Sequence, residues 1–146
     1  MKINTEEAQK RSPRPHFLVG EAEYEKNRLR AKVLFSSSRD SIGDRVNNEV
    51  PHVNIGDVCF AMWNAGHIVA EQERYSFRIL TDEVKISLTK YPVPADRELG
   101  LEFQAEVSDV LQDSRGKDYR LAQLEGRIYD SERLLITVNA GVFIRP

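Results

Sequence analysis

Polar and apolar residues alternate most strictly in LEFQAEVSDVL, which places Leu101, Phe103, Ala105 and Val107 on one face and Glu102, Gln104 and Glu106 on the other. Period two is the mark of a strand with one buried and one wet face. The same period runs through RLLITVNAGVFIRP, with Leu134, Ile136, Val138, Ala140, Val142 and Ile144 inward, and with YRLAQLEGRIYD it completes a hairpin. ERYSFRIL and EVKISLTKYPV also read as strands, while ADRELG and DSRGKD read as turns. Near the start, FLVGEAEYEKNRLRAKVLF predicts either a hairpin turning at about Glu25 to Asn27 or one long bent strand. SSSRDSIGDRVNNEV carries the Ser, Asn, Asp and Gly of a loop.

One segment breaks this pattern. In PHVNIGDVCFAMWNAGHIVAE, Val58, Cys59, Phe60, Met62, Trp63, Ile68 and Val69 fall on almost every side of a helix, so the helix must be enclosed. Asn54 can cap it by accepting from the amide three residues on, and Asp57 puts a negative charge in the first turn. The spacing predicts a helix from about Ile55 to Gln72. One apolar helix followed by a run of strands gives an α+β class, a curved antiparallel sheet wrapped around a central helix.

Composition narrows the partners. The 146 residues hold 40% hydrophobic and 30% charged residues with a net charge of -2, which gives no nucleic-acid footprint and no disorder signature. No repeat or linker divides the chain. Residues 1–15 are polar, lack an apolar signal-peptide centre and end in Pro-Arg-Pro, so a flexible tail is expected ahead of a single domain over 16–146. The longest apolar run, Val58 to Ala70, is interrupted by Asn64 and His67 and falls short of the roughly 20 residues that span a bilayer. A cytoplasmic protein without membrane contact is the expectation. The single cysteine, Cys59, allows no intrachain disulfide, and His16, His52 and His67 show no ligand spacing, so neither metal nor other cofactor is expected.

The order of strand or hairpin, enclosed helix and long antiparallel strands resembles the hot-dog fold, and TKYPVPADRELGLEFQAEV looks like its proline-containing bend leading into an alternating strand. Within that fold, PHVNIGDVCFAMWNAGH resembles the helix entry of the FcoT-like fatty acyl thioesterase family, with His-x-Asn opening the helix, an acid after it and an aromatic-Asn pair further along. The resemblance implies an enzyme acting on fatty acyl thioesters carried by coenzyme A or an acyl carrier protein. It would either hydrolyse them or add the amine of an amino acid such as glycine to a 2-enoyl thioester, and would work as a homodimer or higher homo-oligomer. It also implies that two helix asparagines line the thioester site, and Asn54 and Asn64 match them, Asn64 with a one-residue shift. The tyrosine that family places before the helix has no counterpart in GDRVNNEVPH.

The polar residues on the apolar helix fit such chemistry. A thioester needs an apolar tunnel, a dipole at its carbonyl oxygen and a group that orients the attacking water or amine. The amides of Ile55 to Asp57 at the helix start can face an oxyanion, Gly56 allows close approach, and His52 and Asn54 flank that point. His52, Asn54, Asp57 and Asn64 are therefore the candidate catalytic residues. Gly56, Ile55, Trp63, His67 and Arg74 are candidates for binding substrate, and Arg74, Arg78 or Arg45 could pair with an amino-acid carboxylate. Each has a plainer reading beside it. Asn54 and Asp57 are also ordinary capping residues, His52 a loop histidine and His67 a satisfied core histidine. Asn64, one turn before His67, must find a partner in either the backbone of the wrapping sheet or a ligand, because an unpaired buried amide costs about 1–3 kcal/mol. Cys59 reads as a small hydrophobe. Two rival functions remain: a 2-enoyl thioester hydratase or dehydratase, against which stands the sequence Val53-Asn54-Ile55-Gly56 after His52 in place of Phe-Pro-Gly, and a non-catalytic acyl-binding dimer with its helix end sealed.

Overall fold

A computed structural model describes residues 1–38, 41–42, 52–80 and 83–145. The expected hairpin is β2 (Leu18–Glu25) and β3 (Arg28–Val33). Lys26 and Asn27 between them both have positive φ, 42° and 65°. A two-residue turn of that kind matches the twist of the strands it joins. A short strand pair, β4 (Ser41–Ile42) and β5 (His52–Val53), leads to the helix α2 (Ile55–Glu73). Its end differs from the sequence reading by one residue. After it come β6 (Ser76–Leu80), β7 (Lys85–Leu88), β8 (Leu99–Val107), β9 (Leu111–Gln112), β10 (Asp118–Asp130) and β11 (Arg133–Arg145).

Apart from the separate β4–β5 pair, the strands form one antiparallel sheet containing the order β2-β3-β8-β10-β11-β6, with β7 continuing along the same edge of β11 as β6. The helix packs across it against β2, β3, β8 and β6. The result is the hot-dog arrangement, a curved sheet around one long helix. Val58, Ile68 and Val69 of α2 meet Leu29, Leu99, Leu101, Ile128 and Ile136 of the sheet in one core. Gly126 of β10 lets the helix approach: a Cβ there would overlap the Met62 thioether and lie 3.2 Å from Met62 Cγ. The alternation read in β8 is the one found, with Leu101, Phe103 and Ala105 buried and Glu102, Gln104 and Glu106 exposed.

The convex face carries ion pairs between neighbouring strands, Arg30–Glu102 at 3.7 Å and Lys32–Glu98 at 3.0 Å. Exposed pairs of this kind contribute about 1 kcal/mol or less each, so this face keeps the sheet in water and adds little to its stability.

Three expectations need correction. Leu134 was placed inward, but the register steps from Ile128–Ile136 to Tyr129–Leu134, leaving Leu135 as a bulge residue. Leu135 is the buried one and Leu134 only half-buried. The helix is not enclosed on every side, because Ile55 is 41% and Trp63 53% exposed. The flexible tail of residues 1–15 is instead bonded to the body. Here β1 (Lys2–Asn4) pairs with β2, and α1 (Thr5–Ala8) follows with Asn4 capping it through the Glu7 amide at 3.1 Å. Thr5 Oγ1 donates to the Gly20 carbonyl at 2.7 Å, and the Gln9 side chain both accepts from the Leu18 amide, at 3.2 Å, and donates to the Leu18 carbonyl. Polar side chains bonding backbone leave no hydrophobic period to read, which is why the segment looked like a tail. Among the described residues no helix is long and apolar enough to cross a membrane.

Candidate functional site

The start of α2 is capped as the sequence suggested, with a shift of one amide. Asn54 Oδ1 accepts from the Gly56 amide at 2.7 Å, and the Asp57 and Val58 amides donate to the Asn54 carbonyl at 3.0 and 3.2 Å. Two of the three amides nominated for an oxyanion, those of Gly56 and Asp57, are therefore engaged within the turn. Asn54, Ile55 and Gly56 are exposed there. His52 lies in β5, and the next amide, that of Val53, donates to the Val93 carbonyl at 2.9 Å. The side chains of His52 and Arg78, and Arg45 altogether, lie outside the described residues.

Asp57 and Asn64 face the N-terminal segment. Asp57 is 7% exposed and ion-paired with Arg14, whose guanidinium sits 5.0 Å from the Phe17 ring centroid and 5.7 Å from that of Phe60. Asn64 is 1% exposed and fully bonded: Nδ2 donates to Gln9 Oε1 at 3.1 Å and to the Arg14 carbonyl at 3.0 Å, while Oδ1 accepts from Ser12 Oγ at 2.7 Å. The partner that a buried amide requires is thus a strap of the same chain, residues 9–14. Arg74 terminates the helix in a left-handed conformation, φ 59°, its amide donating to the carbonyls of Ala70 and Glu71.

The opposite side of α2 is open. Ile55, Cys59, Trp63 and His67 succeed one another every fourth residue and form the stripe the sheet does not cover. Beside it, an apolar cavity of about 160 Å³ lies between Cys59, Met62, Trp63, Gly66 and His67 of the helix and Phe103, Leu124, Gly126, Val138, Ala140 and Val142 of the sheet. A second cavity, about 580 Å³, lies between the helix and the N-terminal strap, and Arg11, Ser12, Glu71 and Tyr75 contribute to it. Trp63 and His67 border both. Their rings meet edge to face with centroids 4.7 Å apart.

His67 is exposed at its edge and Cys59 half-buried, and it is the partial desolvation of each beside the cavity that sets the chemistry of this stripe. It holds the His67 imidazole below its usual pKa, so the neutral base is favoured, and it pushes the Cys59 thiol up, so the thiolate is disfavoured. At the far end of the helix, burial first and a hydrogen bond to Glu73 second raise Tyr24 to about 12. Among the described residues no group of three or more His, Cys, Asp or Glu stands where it could hold a metal ion.

The structure thus brings Trp63, His67 and Cys59 together on a cavity. It ties Asp57 and Asn64 into the strap and uses Asn54 and Arg74 as caps. Sequence reasoning missed Gly126 and the strap. A glycine midway along a long strand opposite an apolar helix signals close backbone approach and could have flagged the first.

No protein-family model matches the chain, and no curated protein does. Solved structures do. The chain is similar to a thioesterase candidate of Shewanella oneidensis, with a TM-score of 0.56 at 13% identity over 85% of this chain and 81% of that one. It is similar to a phenylacetic acid degradation-related thioesterase candidate of Ralstonia eutropha, with a TM-score of 0.55 at 11% identity over 84% and 82%. A thioesterase family protein of Silicibacter pomeroyi gives 0.51 at 12% identity over 84% and 81%. At these identities the likeness carries the hot-dog fold and not the narrower acyl thioesterase family that the helix entry resembles.

Proposed function

We propose that the chain hydrolyses acyl thioesters, with the acyl chain lying in the apolar cavity between α2 and the sheet. The observation that supports this reading is the cavity itself. It is lined by apolar side chains with Trp63 and His67 at its border, in a fold shared with thioesterase candidates. Coenzyme A or a carrier protein would present the thioester. A second copy of the chain is the natural cover for the open stripe, since Val84 and Leu88 at the sheet edge are 41% and 64% exposed beside it.

A non-catalytic acyl-binding dimer is the second reading. Asp57 and Asn64, two of the four candidate catalytic residues, spend their polar atoms on the strap, which favours it. One experiment separates the readings. Purified protein is incubated with short-, medium- and long-chain saturated acyl-CoA and acyl-carrier protein, and with 2-enoyl-CoA in the presence and absence of glycine, and products are identified by mass. Free acid from saturated substrates is the expected result. Mass gain by one glycine would assign amine addition, gain by one water hydration, and saturable binding without product the acyl-binding role.

A further inference from the structure

Among the described residues lining the apolar cavity, only Cys59 and His67 carry groups that can exchange a proton or attack a carbonyl. The Cys59 thiol is held protonated by its surroundings and is a poor nucleophile in that form. His67 differs in position as well as chemistry. On one side it faces the apolar cavity; on the other it faces the larger chamber under the strap, where Arg11, Ser12 and Glu71 stand among apolar side chains. Water attacking a thioester whose acyl chain fills the first cavity would come from the second, and it would pass the imidazole.

We infer that His67 is the proton-transfer residue of the hydrolysis proposed above, on which this inference rests. The neutral imidazole accepts a proton from water as the water oxygen bonds to the thioester carbonyl carbon. When the tetrahedral adduct collapses, the carbon–sulfur bond breaks with its electron pair going to sulfur, and the imidazolium returns the proton to the departing thiolate. The products are the carboxylic acid and the free thiol, and no oxidant, reductant or metal enters the balance. Trp63, edge to face with the ring at 4.7 Å, holds the imidazole at the boundary. The ionisable groups around it are Glu71 one turn on along its own helix, Arg11 from the strap, Tyr75 from beyond the helix and Cys59 from the cavity. The sheet residues across the cavity are uncharged.

The test uses the full chain and His67→Gln, with His67→Ala as a second variant. In the wild type, kcat/KM for a saturated acyl-CoA is expected to rise with pH through a midpoint below 6.5, the ordinary histidine value, and then level off. His67→Gln is expected to lower kcat by about 10²–10⁴-fold with KM and thermal midpoint held, and to abolish that limb. Added imidazole should restore part of the activity of His67→Ala. Trp63 is the only tryptophan, so its fluorescence should titrate with the same midpoint in the wild type and lose the transition in His67→Gln. A His67→Gln variant that keeps kcat, or loses it while keeping the pH limb, overturns the inference and leaves the thioesterase reading standing. A folded wild type that hydrolyses none of the thioesters overturns that reading and this inference with it.

Discussion

At the scale of single residues, Gly126 and Tyr24 show how the helix is fixed at its middle and its end. Gly126 stands where a Cβ would overlap the Met62 thioether, and Met62 is itself 5% exposed, so the thioether has little room to retreat. Gly126→Ala is expected to destabilise by about 1–3 kcal/mol, the usual cost of overpacking. Met62→Ala in the same chain should recover part of that loss, and a double-mutant cycle by denaturant unfolding checks the coupling. Tyr24 donates to Glu73, and its hydroxyl also accepts from the Asn27 amide at 3.1 Å. Its pKa rises from 10.0 to about 12 in the folded chain. The unfolded state therefore loses its proton first, and the Tyr24 contribution, fully present below pH 10, falls away between pH 10 and 12. Tyr24→Phe should show a shallower loss of stability than the wild type across that window in pH-dependent chemical denaturation. An identical slope in both proteins would refute the assignment.

At the scale of elements, α2 and β8 were legible because each satisfies one period along its whole length, with a cap at Asn54 to start the helix and a wet face on β8 to fix its phase. The departures have local causes. A bulge shifts the phase of β11 by one residue, and alternation alone cannot show where it falls, so Leu134 was named where Leu135 is buried. The strap escaped for a different reason. The bonds that tie it to the helix join partners 43 to 55 positions apart, Ser12 to Asn64 among them, and no short window along the chain contains both ends. Asn64 was rightly singled out as a buried amide in need of a partner, yet the sequence could not say that the partner was the strap. Cutting it should be costly. Asn64→Ala leaves Gln9, Ser12 and the Arg14 carbonyl without that partner and is expected to destabilise by about 1–3 kcal/mol. Arg14→Ala leaves the buried Asp57 charge without its cation. If Asn64 served a ligand more than the strap, its replacement would change substrate KM and leave the thermal midpoint where it was.

At the scale of the whole molecule, one question is what covers the open side. In a single chain, Ile55, Trp63, Val84 and Leu88 expose large apolar side chains along one flank of the helix and the neighbouring sheet edge. Among the described residues no strand pairs with the outer edge of β7, and an edge of this kind invites pairing. Val84 also rims the apolar cavity, so whatever covers the edge would also deepen the cavity. The second copy proposed above would meet both needs, since a two-fold axis beside β7 would set the exposed Val84 and Leu88 of the two chains near each other. Leu88→Glu then sets two like charges close to that axis and should shift the chain from dimer to monomer in analytical ultracentrifugation. Leu88 lies outside both cavities and is 64% exposed, so the fold of the monomer should persist by circular dichroism. Loss of acyl binding on dissociation would show that the cavity needs the second copy, whereas a monomer that still binds the acyl chain would make each subunit's cavity sufficient by itself. A wild-type chain that sediments as a monomer at every concentration would refute the pairing outright and leave the exposed flank to a partner of another kind.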